Sequence, residues 1–523
     1  MLILKDKRAL IFKLKEPSRI TTVIPTAKIV QQNGYPLVAV PFRADEVRVL
    51  RNLGFKDIPD PMPMLYEYPG MFKPFDAQIK TSSFLAMRDR AFCLNSMGTG
   101  KTISALWAYD YLKKTKQVNK VLVVCPLSTM EATWANECFR TFPDRDVTVI
   151  YGTRERRLKL LKQDSDIYIV NTDGLKIIQH ELDKRSDIDL IIVDEMAMFR
   201  NASTDRWKVL NAVCNKQSPR KVWALTGAPT PHDPTDAWAQ CRIVNPDSTV
   251  VPKYFTKFKE LVMRQVSQFK YVAKENALAV VHEMMQPSIR FALDDCTDLP
   301  PQTFITREVP MTPEQEKAYK SMLNQLQAEY AGGQIMAVNE AVKMSKLIQI
   351  TLGVAYDSNH ENIYIPSQPR IDVLKEIIEE SEGKVLVFVP LTGALEHVAA
   401  ELRKDWTVST VHGGTPKNDR DQTFADFQNH PDPHVIVANP GTMSHGLTLT
   451  AATTIVWYGP TNSNDTYVQA CARVRRPGQT RTTVIVHLVS SEIEKRVFAR
   501  LQGKQKMQNV LLEMMKEQEM VDV

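Results

Sequence analysis

The sequence has few cysteines and no long apolar run, and each absence excludes a class of protein. Its seven cysteines stand singly among 523 residues, and no two form a C-x-x-C pair. This spacing, with several cysteines inside apolar runs, is typical of reduced, buried thiols rather than of a zinc site. No stretch reaches the roughly 18 apolar residues of a membrane-spanning helix, and the start, MLILKDKRAL, lacks a signal-peptide core. We therefore expect a cytoplasmic protein with no membrane partner.

The composition is that of a globular protein with a small excess of positive charge. Hydrophobic residues make up 43% of the chain and charged residues 24%, which is enough to form real cores. At roughly 100–200 residues per domain, the length predicts about three or four domains. The sequence contains neither an internal repeat nor a low-complexity tract. The net charge of +6 permits a phosphate-backbone partner but does not require one.

Short runs rich in β-branched residues alternate with helical patterns through most of the chain. Such continuous apolar runs are typical of strands buried on both faces of a parallel sheet. They fall into two groups, so we predict an α/β protein with two doubly wound parallel-sheet domains, over residues 71–245 and 305–500. The runs are VLVVCP (121–126), IYIVN (167–171), LIIVDE (190–195), VWALTG (222–227), KVLVFVP (384–390), VSTVHG (408–413), HVIVAN (434–439), TTIVWYGP (453–460) and TVIVHLV (483–489).

Three further segments lie outside these two domains. Residues 1–70 combine strand patterns, a helical pattern and a proline-rich exit, which predicts a small amino-terminal α+β unit. Residues 246–304 contain VPKYFTKFKELVMRQV (251–266) and ALAVVHEMMQPSIRFAL (277–293), which look helical and predict a helical insertion or linker. Residues 501–523 are predicted to form a carboxyl-terminal helix.

The segment CLNSMGTGKTISALWAY (93–109) contains a phosphate-binding loop pattern with one substitution. Glycines let backbone N–H groups turn toward phosphate oxygens, and a helix that starts at once would point its amino terminus at the anion. The pattern G-x-x-x-x-G-K-[ST] wants glycine where Asn95 stands. Taken alone, the segment is either an ATP site or a chance GKT. The residues proposed to bind ATP are Gly98, Thr99, Gly100, Lys101, which would meet the β- and γ-phosphates, and Thr102, which would hold Mg²⁺.

Two more clusters fit phosphoryl transfer. The run LIIVDE delivers Asp194 to a loop edge, where it can hold Mg²⁺, and Glu195, which can take a proton from the attacking water. In YVQACARVRRPGQTR (467–481), Arg473 and Arg476 are three apart and would share a helix face. Arginines from a second domain can neutralise charge on the transferred phosphoryl group. Judged singly, the alternatives are an ordinary acidic strand end and a solvated basic face.

The order of these motifs resembles that of Swi/Snf-type ATPases of helicase superfamily 2, over roughly residues 71–500. The resemblance extends along the chain, and motif VI matches the form QAxxRxxRxGQ. The matching segments are PFDAQIKTSSFL (74–85) for the Q-motif, VLVVCPLSTMEATWANE (121–137) for motif Ia, DEMA (194–197) for the DEAD or DEAH box, LTGAPTPHDPTDAWAQ (225–240) for motif III, VHGGTPKNDRDQTFADFQ (411–428) and ANPGTMSHGLTLTAATTIVWYGP (438–460) for motifs IVa and V, and QACARVRRPGQ (469–479) for motif VI.

This resemblance implies two RecA-like lobes that use ATP and Mg²⁺ and bind double-stranded DNA, in a protein that acts as a monomer. It makes Gln78 the reader of adenine. Gln469, which is four residues before Arg473 and would lie on the same side of a helix, is also predicted to bind ATP. The resemblance assigns catalysis to Lys101, Asp194, Glu195, Arg473 and Arg476. It assigns DNA contacts to Pro126, Ser128, Thr129, Thr226, Gly413 and Gly446. The chain departs from the family pattern at Asn95-Ser96, Met196-Ala197 and Arg475, none of which removes a catalytic residue, so we expect an active ATPase.

Within residues 1–70, the segment VPFRADEVRVLRNLGFKDIPDPMPMLY (40–66) resembles the short region before the motor in annealing-helicase-like, phage and bacterial members, which remodel forked or branched DNA. The expected function is therefore an ATP-dependent double-stranded DNA translocase that acts on such DNA in replication, recombination or repair. Its expected setting is the cytoplasm of a bacterium or of a phage-infected host, with replication or recombination proteins as partners. The alternatives are a motor subunit of a restriction or nuclease assembly, a non-catalytic ATP-dependent DNA clamp, and, for residues 1–70, a structural cap on the first lobe.

Overall fold

The chain folds, in a computed structural model, into two compact units that divide between residues 297 and 298. The structure describes residues 1–32, 35–70, 73–215, 220–231, 233–267, 270–296, 299–331, 345–356, 362–443 and 448–503. The predicted helix at 501–523 lies outside these ranges from residue 504 onward. Within the described ranges, no helix combines the length and apolar character that crossing a membrane requires.

Residues 1–70 form a four-stranded antiparallel sheet with helices beside it. The elements are β1 (Leu2–Leu4), β2 (Ala9–Lys13), α1 (Ser18–Thr21), β3 (Lys28–Gln32), β4 (Tyr35–Pro41), α2 (Ala44–Asn52) and α3 (Pro61–Leu65). The strand order is β1-β2-β4-β3. Alternate residues of β2 and β4, including Leu10, Phe12, Val38 and Val40, are buried in one cluster with Val47 of α2, as a sheet with one covered face requires.

A seven-stranded parallel sheet forms the centre of the first unit. The strands of this unit are β5 (Arg90–Cys93), β6 (Lys120–Cys125), β7 (Val147–Ile150), β8 (Ile167–Asn171), β9 (Ile188–Asp194), β10 (Lys221–Leu225), a separate hairpin of β11 (Met263–Ser267) and β12 (Lys270–Ala273), and β13 (Ser288–Ile289). The order in the sheet is β13-β5-β10-β9-β6-β8-β7, with every pair parallel. All four strands predicted for this domain are confirmed.

Helices cover both faces of this sheet. Alternate residues of β6 enter two separate cores, since Leu122 and Val124 belong to one cluster and Val121 and Val123 to the other. The continuous apolar run of β6 therefore has the predicted cause, burial on both faces. The helices are α4 (Asp76–Ala86), α5 (Lys101–Lys114), α6 (Asn136–Thr141), α7 (Arg154–Leu161), α8 (Leu175–Leu182), α9 (Asp205–Asn215), α10 (Asp236–Val244), α11 (Phe255–Val262), α12 (Ala277–Met284) and α13 (Leu293–Cys296).

The segment 246–304 is less helical than predicted. It contains α11 and α12, but the end of the first predicted helix is strand β11, which pairs with β12. The second predicted helix ends at Met284 because Pro287 disfavours helical backbone before it. The chain then forms β13, which joins the large sheet beside β5. Most of the segment therefore belongs to the first unit rather than to a linker.

A six-stranded parallel sheet forms the centre of the second unit. The strands are β14 (Gln302–Glu308), a separate hairpin of β15 (Val354–Tyr356) and β16 (Asn362–Tyr364), β17 (Lys384–Phe388), β18 (Val408–Val411), β19 (Val435–Ala438), β20 (Ala452–Trp457) and β21 (Thr483–Val489). The order in the sheet is β14-β21-β20-β17-β19-β18. All five strands predicted for this domain are confirmed, and β14 is an additional edge strand. The helices are α14 (Pro313–Ala331), α15 (Gln368–Glu380), α16 (Thr392–Leu402), α17 (Lys417–Asn429) and α18 (Asn464–Cys471), and residues 345–351 and 492–503 are also helical.

A buried ion pair connects several elements of the second unit. Arg370 of α15 donates from Nη1 and Nη2 to Oε1 of Glu494 at 2.9 and 2.8 Å, and the two side chains are 1% and 0% exposed. Nη1 of Arg370 also donates to the carbonyl of Tyr458, just after β20. The other Glu494 oxygen accepts from the Ser490 N–H at 2.8 Å and the Ser491 hydroxyl at 3.2 Å. The pair therefore ties α15 to the sheet and to the helix that contains Glu494.

Candidate active site

The loop between β5 and α5 has the backbone of a phosphate cradle. Gly98 and Gly100 have φ angles of 81° and 82°, in the left-handed region that favours glycine. A Cβ on Gly100 would come within 2.2 Å of Gln78 Nε2, so a larger residue does not fit there. Helix α5 begins at Lys101, and no side chain caps its amino terminus. Such a terminus offers N–H groups and a positive partial charge to an anion.

Lys101 lies at this helix start and is half-buried. Its Nζ donates to the carbonyls of Asn95 at 3.0 Å and Ser96 at 3.2 Å. Burial lowers the pKa of Lys101, while the carboxylates of Glu195 and Asp194 act in the opposite direction. A phosphate oxygen is a stronger partner for an ammonium group than these neutral carbonyls. The lysine can therefore exchange its loop contacts for an anion without a change of the loop itself.

Asn95, where the common pattern has glycine, ties the loop to its surroundings. The side chain is 2% exposed. Its Nδ2 donates to Oγ1 of Thr81 on α4 at 2.8 Å, and its Oδ1 accepts from the Phe291 N–H at 2.9 Å. The substitution therefore brings its own hydrogen bonds and leaves the left-handed glycines of the cradle in place.

We predict that Asn95→Gly, which restores the common pattern, destabilises the protein and does not raise its ATPase activity. The change leaves the Thr81 hydroxyl and the Phe291 N–H without their partner, at a cost of about 1–3 kcal/mol. Urea unfolding and the KM for ATP measure the two effects. Met97→Gly is the matched control, because it adds glycine to the same loop and removes no hydrogen bond. Equal or greater stability in Asn95→Gly would contradict the anchoring role.

Asp194 ends β9, a central strand of the sheet, and its carboxylate is held on both sides. Oδ2 accepts from Trp134 Nε1 at 2.8 Å, and Oδ1 accepts from the Glu195 N–H at 3.1 Å. Burial raises the pKa of Asp194, and the Trp134 hydrogen bond and the charge of Lys101 oppose this. Glu195 has a φ of 53°, which is uncommon for a residue with a side chain. Such backbone costs about 1–3 kcal/mol and is typical of functional sites.

Gln78 connects α4 to the cradle. Its Oε1 accepts from the Phe75 N–H at 3.0 Å, and its Nε2 donates to the Thr99 carbonyl at 3.2 Å. The Thr99 hydroxyl donates to the Ser96 carbonyl at 2.8 Å. Thr102, the second residue of α5, is half-buried. The first unit thus brings together Gln78, Gly98, Thr99, Gly100, Lys101, Thr102, Asp194 and Glu195.

Sequence reasoning missed two residues of this cluster, Arg290 and Trp134. Arg290 follows β13, and its Nη2 donates to Ser96 Oγ at 2.6 Å. Its charge lowers the pKa of Lys101. Arg290 lies in the segment that looked like a helical linker, and nothing in its sequence context indicates the contact. Trp134 lies in the segment that resembles motif Ia, but no pattern there indicates a partner for Asp194.

The arginines of motif VI are not on a helix, which corrects the prediction that they share a helix face. Helix α18 ends at Cys471, and Arg473 and Arg476 lie in the turn that follows. Pro477 disfavours helical backbone at the residue before it, and Gly478 has a φ of 100°. These two residues would prevent a helix from continuing through Arg476, although the helix already ends at Cys471.

Several motif VI side chains are buried or hydrogen-bonded within the second unit. Arg473 is 2% exposed. Arg476 donates from Nε to the Ala472 carbonyl and from Nη1 to Thr448 Oγ1, both at 3.1 Å, and burial lowers its pKa to about 10. Gln469, still on α18, is buried and donates to Asp465 Oδ1 at 3.1 Å. The hydrogen bonds of Arg476 and Gln469 therefore form without a bound ligand.

The residues predicted to contact DNA differ in exposure. Pro126, Thr129 and Thr226 are buried. The Thr129 hydroxyl donates to the Pro126 carbonyl at 3.0 Å, and the Thr226 hydroxyl accepts from the Ala228 N–H at 3.3 Å, so these side chains shape their own loops. Ser128 is half-buried and Gly413 is exposed, and their contact with DNA stays a prediction. Gly446 lies outside the described residues.

Two family models match the chain. The SNF2-related domain matches residues 84–363, and the Helicase conserved C-terminal domain matches residues 369–478. The first match alone covers more than half of the chain. The chain belongs to the SNF2-related family. The predicted resemblance is therefore confirmed, and the chain is a helicase-like, DNA-dependent ATPase of the SNF2 type.

Similar proteins occur in phages and eukaryotes. "Putative protein p41" of Acyrthosiphon pisum secondary endosymbiont phage 1 is 26% identical, over 80% of this chain and 94% of that protein. The "Chromodomain-helicase-DNA-binding protein 1-like" of Mus musculus is 23% identical, over 80% of this chain and 47% of its own length. The SNF2 chain spans about half of that mouse relative. The solved "Sulfolobus solfataricus SWI2/SNF2 ATPase core in complex with dsDNA" is 22% identical, with coverages of 88% and 98% and a TM-score of 0.41.

Proposed function

We propose that this SNF2-family chain is an ATP-driven translocase on double-stranded DNA that remodels forked or branched DNA. The observation that carries the ATPase half of the proposal is the half-buried Lys101 at the start of α5, whose ammonium group interacts with the charges of Glu195 and Asp194. The DNA half is supported by membership in the SNF2-related family and by a mouse relative whose name includes DNA binding. The preference for forks or branches is supported by the resemblance of residues 40–66 to the region before the motor in annealing-helicase-like members.

The residues of the first unit suit an ATP-bound Mg²⁺ ion. Within the described part of the chain no group of three or more metal-ligating side chains occurs. This fits Mg²⁺, which keeps several waters and takes one or two protein ligands together with substrate phosphates. Thr102 and Asp194 are the proposed protein ligands. When bound, the ion neutralises charge on the phosphate oxygens.

The proposed chemistry assigns one task to each remaining residue. Lys101 binds the β- and γ-phosphates, and Gln78 reads adenine next to the Thr99 carbonyl. Glu195 takes the proton from the attacking water, which is the role that its position one residue after Asp194 allows. The second unit contributes Arg473 and Arg476, which we propose stabilise charge on the transferred phosphoryl group.

The test is ATP hydrolysis by the purified chain without nucleic acid and with single-stranded DNA, linear duplex or a four-way junction. We expect stimulation by duplex and junction DNA, with the junction more effective, because the proposed substrate is branched. Triplex displacement on a linear duplex then measures translocation itself. No DNA-stimulated hydrolysis would overturn the proposal of a self-sufficient motor. It would favour a motor subunit that needs a partner, or an ATP-dependent DNA clamp.

Glu195→Gln is the control for this experiment. It removes the proposed base but keeps the side-chain shape, so hydrolysis should fall by about 100- to 10,000-fold. Binding of ATP should remain, because no phosphate contact is lost. Hydrolysis at the normal rate in Glu195→Gln would exclude this residue as the base.

A further inference from the structure

A positively charged groove lies between the four-stranded sheet of residues 1–70 and the carboxyl-terminal end of α5. Its volume is about 790 Å³. Among the described residues that line it, Glu67 is the single carboxylate. Six exposed cations line it, four from the amino-terminal segment and two from the end of α5. They are Lys7, Arg8, Lys28, Arg43, Lys114 and Lys116.

Most of these cations have no counter-ion. Lys114 pairs with Asp110 at 2.8 Å. The other five form no ion pair with a carboxylate in the part of the chain that the structure describes. Unpaired like charges that face one another repel, so they do not stabilise the fold. Such a cluster is typical of a surface that binds a polyanion.

Two of the cations occupy backbone positions that suit glycine. Arg8 and Lys116 have φ angles of 46° and 58°, and Glu195 in the candidate active site is the other described residue besides glycine with a positive φ. Lys116 stands just after α5, where its N–H donates to the Lys113 carbonyl at 3.1 Å and the Gln117 N–H reaches the Leu112 carbonyl at 2.9 Å. Glycine is the usual residue in this helix ending. Arg8 and Lys116 therefore strain the backbone at positions where glycine would not. Folding alone does not explain why these two positions carry cations.

The groove also contains a buried hydroxyl without a partner. Tyr111 of α5 lines the groove and is 2% exposed, and its Oη has no hydrogen-bond partner among the residues that the structure describes. Burial raises the pKa of Tyr111 well above its ordinary value, while the charges of Arg8 and Arg43 oppose this. The Tyr111 hydroxyl therefore keeps its proton and can donate a hydrogen bond. The charges of Arg8 and Arg43 both act on this hydroxyl.

We propose that this groove binds the phosphodiester backbone of a nucleic acid strand, separately from the ATP-binding loop. That the polyanion is nucleic acid rests on the proposed function. Cations on both walls can neutralise successive phosphates, whereas a single phosphate needs only a few of them. The aromatic residues of the groove, Phe42, Tyr66 and Tyr111, are all buried, so they offer no face on which a base can stack. The groove therefore binds backbone without sequence preference.

The test uses the double variant Arg8→Gly/Lys116→Gly in the full chain. Glycine suits both backbone positions, so the melting temperature should stay the same or rise. Fluorescence anisotropy with a labelled forked duplex, over a series of salt concentrations, measures binding. We expect roughly tenfold weaker binding at low salt, and a salt dependence reduced by about 1.8 in slope, because two phosphate contacts are lost.

The matched control is Lys5→Gly/Lys56→Gly, which removes two exposed lysines that do not line the groove. It makes the same change in net charge, and we expect much smaller losses in affinity and slope. If the groove variant binds DNA with the affinity and slope of the control, the groove proposal is overturned while the proposed function stands. If the unchanged protein binds no DNA, both proposals fail together.

Discussion

Lys101→Ala is expected to lower the rate of ATP hydrolysis by about 100- to 1,000-fold, since it removes a half-buried positive charge from the proposed phosphate site. The loop should keep its shape in this variant. Gly98 and Gly100 hold the backbone, and Asn95 anchors it through Thr81 and Phe291. The effect should therefore be on the ligand and on the reaction rather than on folding.

Steady-state hydrolysis with saturating duplex DNA measures this effect, and thermal unfolding checks the fold. Lys80→Ala is the matched control, because Lys80 is an exposed lysine of α4, the helix that also carries Gln78. We expect normal activity in the control and a melting temperature close to normal in both variants. Hydrolysis within about tenfold of normal in Lys101→Ala would show that this lysine is not the phosphate ligand.

Glu494→Gln is expected to lower the free energy of unfolding of the second unit by about 3–5 kcal/mol, because it leaves the Arg370 charge buried without its partner. The Arg370 guanidinium is 1% exposed and has two hydrogen bonds to one Glu494 oxygen. The other Glu494 oxygen accepts hydrogen bonds from the Ser490 N–H and the Ser491 hydroxyl, and these bonds weaken when the side chain loses its negative charge. The contacts with the start of the helix at 492–503 are therefore weakened as well.

Urea unfolding measures the change, and the neighbouring residue provides the control. Lys495 pairs with Glu308 on the surface, where ion pairs contribute about 0–1 kcal/mol. Lys495→Gln should therefore have a small effect. The double change Arg370→Met/Glu494→Leu should be more stable than Glu494→Gln, because it removes both buried charges. A small effect of Glu494→Gln would mean that water or a rearranged side chain compensates Arg370.

Burial explains which parts of the fold could be predicted from the sequence. The predicted strands have continuous apolar runs, because burial on both faces leaves a pattern in one short segment. The four-residue strands β5 and β7 were not predicted, although AFCL (91–94) is such a run. The two-residue strand β13 and the edge strand β14 have no such run. The pattern of β14 is mostly exposed, with Phe304 and Ile305 at 41% and 40%. Their places in the two sheets depend on partners far away in the chain.

In the candidate site, too, local sequence patterns predict some residues and contacts and not others. Glycines, Lys101 and the Asp194-Glu195 pair follow from local patterns, because a phosphate loop and a strand end are each built within a few residues. The bonds of Asn95 to Thr81 and Phe291 link segments far apart in the sequence, and no local pattern contains them. The turn that holds Arg473 was misjudged because spacing alone does not reveal where a helix ends.

The edge position of β14 has a consequence for biosynthesis. β14 is the first strand of the second unit to leave the ribosome, but its one neighbour in the sheet is β21, the last. Until Thr483–Val489 has emerged, the backbone N–H and C=O groups of β14 that face β21 have no strand to pair with. The second unit therefore completes its sheet only after β21 has emerged. Nascent or prematurely terminated chains expose an unpaired strand that can pair with other chains.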